Sequence, residues 1–297
     1  MSGAALSLLD TVRSVLFTPG DRAERFAKAT ACGADAVILD WEDGVAPLGR
    51  EQARSASLRF VADGSHRVPV GLRLNRIHTR DGLLDLLALV DSGARPAFLA
   101  LPKIESAAEV DIVTAHLAAA GGTVPQLVPF IESARGLDHA SEIASAAGVA
   151  ALAFGGVDFS ADIGAEFEWE ALLLARSRIV QAAATAHVAV WDVPFLATQD
   201  EAGLTHETQR CAALGFTGKM AIHPAQAAVI NRAFAPEPDK LELARRIVAA
   251  EREAAGGPCI VAGKMVDLPV VKLAHRVLDR HARTSVAGIG GEGAGDE

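Results

Sequence analysis

The sequence predicts a TIM (β/α)8 barrel, an α/β fold in which eight buried parallel strands alternate with eight covering helices. Three observations carry that prediction. Short apolar runs alternate with amphipathic stretches eight times, with no Pro/Ser linker between them. Half of the 297 residues are hydrophobic and only 5% aromatic, which suits buried strands under Ala-rich helices better than an aromatic-rich sandwich. Nearly every apolar run also ends in an ionisable group. A doubly wound open sheet uses the same units and is the alternative.

Strands are expected at 14–18, 36–39, 70–74, 97–101, 126–131, 149–154, 189–192 and 218–222. Apolar runs of this length, bounded by Gly or Pro, read as strands covered on both faces. Helices are expected at 21–32, 50–63, 81–91, 107–120, 136–147, 169–187, 201–214 and 224–234. Beyond the eighth unit come a helix at 239–255, a hinge containing Gly256, Gly257 and Pro258, the stretch Gly263 to Pro269, and a last helix at 270–283. A closed barrel has no internal need of this extension, so 236–283 reads as a lid or exchanged arm with Asp267 at its tip, following a barrel at 1–235. Residues 284–297, Gly-rich and acidic, are expected to lack structure.

The strand ends hold the chemistry. Leu127 to Ile131 climbs into Glu132, and Ala151 to Phe154 leads through Gly155 and Gly156 to Asp158. Asp40, Glu42 and Asp43 follow the second strand, Arg73 and Asn75 the third, Lys103 the fourth, Asp192 the seventh and His223 the eighth. In a barrel these ends converge on one rim, where active sites of this fold are built. Two carboxylates side by side there suit a hard cation such as Mg2+ or Mn2+, which keeps water or substrate oxygens in its other positions. The competing reading is that each acid caps the helix after it.

The net charge of −9 argues against a nucleic-acid or membrane-surface partner. Cys32, Cys211 and Cys259 are widely spaced and form no CxxC pair, so they read as free thiols. Residues 1–9 lack a signal peptide's basic start, and no stretch reaches the ~18 apolar residues of a membrane span, so a cytoplasmic protein is expected.

Six segments, spread between residue 13 and residue 267, resemble the HpcH/HpaI aldolase and citrate lyase β-subunit family, and within it the stand-alone acyl-CoA lyases; the resemblance extends to about residue 283. They are Arg13 to Gly20, Asp40 to Pro47 with Trp41 in place of the family's Leu, Ile131 to Gly136, Phe154 to Asp158, Gly215 to Gln226 and Gly263 to Asp267. The resemblance implies a TIM barrel assembled as a homotrimer or hexamer, which binds Mg2+ and makes or breaks a carbon–carbon bond between an acyl-CoA enolate and a small 2-oxo acid. Malyl-CoA and citramalyl-CoA are typical substrates. It also implies Glu132 and Asp158 as metal ligands, Arg73 as a substrate contact, and Asp267 as a residue entering a neighbouring subunit's site.

Within that chemistry Arg73 offers a permanent planar fork to a carboxylate or enolate oxygen, unless a salt bridge to the Asp40, Glu42 and Asp43 cluster consumes it. Glu42 and Asp43 would orient metal-bound water and Arg73. Asp267 would move a proton at the enolate carbon. Arg13, Pro19, Lys103 and Gly156 are expected along the substrate and CoA side, and Trp41, Leu196 and Met220 around the oxo-acid pocket. His223 is either a general base or a tie for its own turn. Two other readings remain open: a citrate lyase β subunit working on a citryl thioester of an acyl-carrier protein, and a non-catalytic ligand-binding barrel.

Overall fold

The computed structural model describes residues 7–288 except 65, 122, 255 and 256, with the side chains of 280 and 283–288 also left aside. The chain divides into two compact units, Met1–Asn231 and Arg232–Glu297. The first is a closed parallel barrel of β1 (Ser14–Pro19), β2 (Ala36–Asp40), β3 (Val70–Arg73), β4 (Phe98–Leu101), β5 (Gln126–Ile131), β6 (Ala151–Phe154), β7 (Ala189–Asp192) and β8 (Gly218–Ala221). Ring order follows chain order, and β8 closes on β1 with Val15 opposite Met220. That closure removes the open-sheet alternative.

Around the barrel lie α1 (Phe26–Thr30), α2 (Arg50–Asp63), α3 (Arg80–Ser92), α4 (Ala107–Ala119), α5 (Ala134–Asp138), α6 (Ala140–Ala144), α7 (Gly156–Ile163), α8 (Trp169–Ala186), α9 (Glu201–Leu214) and α10 (Pro224–Phe234). Several begin at side-chain caps, which satisfy free N–H groups of the first turn. Thr79 Oγ1 accepts from Gly82, Ser133 Oγ from Gly136 and Asp200 Oδ1 from Gly203, at 3.1, 3.0 and 2.8 Å. Three helices depart from expectation. The segment 21–32 shrinks to α1 behind a single tight turn, and 136–147 divides where His139 leaves helical geometry with φ −97° and ψ 7°. The third, α7, starts at glycines that read as a turn.

Strand alternation separates the two faces of the barrel wall. Val15, Ala36, Ile38, Phe98, Ala100, Val128, Phe130, Ala151, Ala153, Ala189, Trp191 and Met220 share one buried cluster, the barrel interior. Continuing that two-residue phase past Ile38 and Phe130 brings Asp40 and Glu132 onto the inner face at the C-terminal rim.

The second unit has its own core of Ala244, Ile247, Val248, Val261, Val266, Val271 and Ala274. It comprises α11 (Pro238–Glu253), the antiparallel hairpin β9 (Cys259–Val261) and β10 (Lys264–Val266), and α12 (Leu268–Gly288). The hairpin, absent from the sequence reading, turns through Ala262 and Gly263 at φ 49° and 74°, the left-handed pair that tight hairpins require. The proposed hinge falls partly on 255–256, outside the described residues. The helix α12 runs to Gly288, five residues into the stretch expected to lack structure, and 289–297 lie outside the described residues. Among the described residues no helix is long and apolar enough to cross a membrane.

Candidate active site

Register builds the site. Pro19 pairs with Asp40 and Asp40 with Arg73, so three neighbouring strands deliver their last residues side by side. Arg73 spans two of the acids. Its Nε and Nη2 donate to the two oxygens of Asp40, both at 2.7 Å, and its Nη1 lies 3.1 Å from Glu42 Oε2. The guanidinium also sits 4.8 Å over the Phe17 ring. Burial would lower the Arg73 pKa, but Asp40, Glu42 and Glu132 outweigh it and hold it above its ordinary value, so the charge is fixed. The salt bridge to the acidic cluster is therefore formed, by the same side chain that the sequence offered as a substrate contact.

Asp40 is the residue the sequence reading undervalued. Beyond Arg73, its carboxylate accepts from Glu42 N at 2.9 Å and Gly44 N at 2.8 Å, folding the β2–α2 loop back over the strand end. Glu42 is 4% exposed, and burial raises its pKa against the pull of Arg73 and Lys103. Asp43 stays in solvent, 3.4 Å from the Lys103 ammonium.

Glu132 does not cap α5, because Ser133 does. Its Oε2 accepts from the backbone N–H of Lys103 at 2.7 Å. Burial first, then the neighbouring Glu42, push its pKa up to about 8, with Lys103 opposing. Asp158 lies in the first turn of α7, partly exposed, 3.8 Å from Lys103 Nζ. Lys103 therefore touches both acids. Gly155 makes the room: a Cβ there would fall 2.3 Å from Glu132 Cγ and 2.5 Å from its Oε1. Gly155 is thus the glycine Glu132 requires, while Gly156 opens α7 with Phe154, Val193 and Phe167 around its Cβ position.

The candidate ligands Glu132 and Asp158 offer oxygens, as do Asp40 and Glu42 beside them, the set that suits Mg2+ or Mn2+ and not a thiolate-seeking metal. Among the described residues no group of three or more His, Cys, Asp or Glu is arranged to hold an ion. A two-carboxylate site that leaves positions for water and substrate fits those residues.

A family model described as HpcH/HpaI aldolase/citrate lyase matches residues 13–224. The chain belongs to this family. Mitochondrial citramalyl-CoA lyase of Homo sapiens is 33% identical over 290 residues, spanning 90% of this chain and 84% of the relative. A citrate lyase subunit beta-like protein of Mycobacterium tuberculosis is 37% identical over 272 residues, spanning 89% and 94%. A (3S)-malyl-CoA thioesterase of Cereibacter sphaeroides is 34% identical over 264 residues, spanning 86% and 89%. Among solved structures, CitE from Mycobacterium tuberculosis in complex with magnesium, acetoacetate and coenzyme A superposes with a TM-score of 0.80 at 35% identity, covering 92% of this chain and all of that one.

The remaining expected residues of this citrate lyase family barrel divide between the rim and elsewhere. Pro19 lies on the rim beside Asp40. Arg13 does not: it precedes β1 at the opposite end of the barrel, where its Nε and Nη2 grip Asp35 at 2.7 and 2.9 Å. Asp192 ends β7 but points outward, because Trp191 fills the interior; it binds Arg176 at 2.9 Å and Lys219 at 2.8 Å beneath the helices. Trp41 and Met220 are fully buried, Trp41 against Gly20 and Met220 inside the barrel, so neither lines an open pocket, whereas Leu196 is half exposed. His223 Nδ1 accepts from Ala225 N at 3.2 Å, tying its own turn. Asp267 belongs to the second unit, exposed between β10 and α12, with Oδ1 accepting from Val270 N at 3.4 Å.

Two buried side chains unnoticed in the sequence hold the loops after β7 and β8. Gln226 Oε1 accepts from Ile222 and His223 N, while its Nε2 donates to Phe195 O at 2.8 Å. Lys219 Nζ donates to Val193 O at 2.6 Å.

Proposed function

We propose that this protein is a Mg2+-dependent carbon–carbon lyase. It splits or forms a 3-hydroxyacyl-CoA thioester of the malyl-CoA or citramalyl-CoA kind, yielding acetyl-CoA or another acyl-CoA plus a small 2-oxo acid, glyoxylate or pyruvate. One observation carries this reading: an oxygen-only pair, Glu132 and Asp158, joined through Lys103 and set beside a buried, permanently charged Arg73. The names of the relatives, a citramalyl-CoA lyase and a citrate lyase beta-like protein, support it.

Glu132 and Asp158 would hold Mg2+, or Mn2+ in its place, and the bound ion would supply Lewis acidity to the hydroxyl and carboxylate oxygens of the substrate. Arg73 directs donors at the substrate carboxylate or the developing enolate oxygen, having been fixed in direction by Asp40. Glu42 and Asp43 orient Arg73 and bound water. Asp267 moves the proton at the enolate carbon, delivered by a neighbouring subunit of a homotrimer or hexamer. The segment 236–283 is the exchanged arm, and the enzyme is read as cytoplasmic.

Purified protein should be incubated with Mg2+ and each free CoA thioester, with products identified by mass spectrometry. The expected result is acyl-CoA plus 2-oxo acid, abolished by EDTA or Glu132→Ala and strongly slowed by Asp267→Asn. A second reading, hydrolysis to free CoA and a hydroxy acid, is favoured by the relative named (3S)-malyl-CoA thioesterase. Release of CoA without 2-oxo acid would establish it instead. Turnover only of an acyl-carrier-protein thioester would move the protein to the citrate lyase complex.

A further inference from the structure

Lys103 occupies the centre of the acidic rim in a conformation that L residues seldom adopt, with φ of 54° just after β4. That geometry lets one residue meet the cluster twice. Its backbone N–H donates to Glu132 Oε2 at 2.7 Å, and its side chain turns to the other acids. The ammonium donates to Glu42 Oε1 at 2.6 Å, and lies 3.4 Å from Asp43 Oδ2 and 3.8 Å from Asp158 Oδ1. Arg73 is taken up by Asp40 and by the other oxygen of Glu42. Among the described residues, Lys103 is therefore the cation within 4 Å of both Asp43 and Asp158.

Any substrate or CoA anion that reached this ammonium would have to draw it away from three carboxylates.

We infer that Lys103 is an internal counter-ion: its ammonium competes with the divalent cation for the carboxylates of the rim and so sets how tightly that cation is held. The inference rests on the metal site assigned above to Glu132 and Asp158. Two charges separated by a few ångströms at a protein surface interact strongly enough to change an equilibrium tenfold or more. Removing the ammonium therefore acts in two ways. It frees Asp158 and Glu42 for a divalent ion, and it leaves the acids to repel one another when no ion is added. A cation that binds the folded protein then restores more stability to the variant than to the parent.

Lys103→Met retains most of the side-chain stem, and Lys103→Arg retains the charge. Mn2+ binding is measured on the full chain at low salt by electron paramagnetic resonance, beside thermal melts in EDTA and in saturating Mg2+. Lys103→Met is expected to bind Mn2+ about tenfold more tightly than the parent, to melt lower in EDTA, and to close that gap in Mg2+; Lys103→Arg should follow the parent. Equal or weaker Mn2+ affinity in Lys103→Met, or an unchanged melt in EDTA, overturns the inference. Glu132→Gln distinguishes this failure from that of the metal site. If the parent and Glu132→Gln bind Mn2+ alike, the site assignment falls and the counter-ion with it. Binding that depends on Glu132 but is unmoved by Lys103→Met removes the role of Lys103 alone.

Discussion

Arg73 and Gly155 show how narrowly individual positions are constrained. Arg73 needs its planar fork because it meets both oxygens of Asp40 while a third nitrogen reaches Glu42. A lysine there keeps the charge but cannot reproduce that geometry. Arg73→Lys is expected to lower kcat by about 100-fold or more, while circular dichroism and melting temperature stay close to the parent. At Gly155 even a methyl group collides with the Glu132 side chain, at 2.3 Å from Cγ. Gly155→Ala is expected to weaken Mn2+ binding by about 10- to 100-fold, the usual penalty for disturbing the support of a ligand. Calorimetric titration checks it, and unchanged affinity would mean that Glu132 does not hold the ion.

The loops that carry these residues are set by helices behind them. Asp85 on α3 is fully buried; it accepts from Arg54 on α2, and from the backbone and side-chain N–H groups of Asn75 at 2.6 and 2.9 Å. Asn75 Nδ2 passes the constraint on, donating to Trp41 O at 2.9 Å, one residue before Glu42. Burial raises the Asp85 pKa while Asn75 and Arg54 pull it down. Removing one partner of a buried ion pair leaves an uncompensated charge, so Asp85→Ala is expected to cost about 3–5 kcal/mol in urea denaturation. Asn75 was visible in the sequence only as one more polar residue at a strand end. Asp85, in the second turn of α3, carried no signal, because its partners lie on α2 and in the β3–α3 loop and meet it only once the chain has folded.

The barrel as a body stores a second charged cluster outside its wall. Lys219 Nζ, fully buried, meets Asp192, Val193 O and Glu207, and the Cys211 thiol donates to Asp192 at 3.0 Å. Burial alone would raise the Asp192 pKa, but Lys219 and Arg176 outweigh it and hold the carboxyl below its ordinary 3.8. A depressed carboxylate contributes its stability above the unfolded pKa and loses it as pH falls through the folded one. Thermal melts are therefore expected to fall steeply below about pH 4. Asp192→Asn should melt lower at neutral pH and lose less on acidification. Burial of the Cys211 thiol pushes its pKa well above the usual value, which keeps it protonated and donating.

Eight strand–helix units, their near boundaries, and a rim lined with Asp40, Glu42, Arg73, Lys103, Glu132 and Asp158 were legible in the order of residues, because apolar runs and the polar residues that stop them are local features. Which acids face inward was not. Asp40 and Asp192 both end a strand after an apolar run, yet one joins Arg73 in the mouth of the barrel and the other lies under α8 and α9. Strands covered on both faces are apolar at every position, so their sequences carry no alternation from which to read inside from outside. The phase is fixed only when each strand takes its register against its neighbours and the ring closes, which is also the step that separates Arg13 from Arg73 by the length of the barrel.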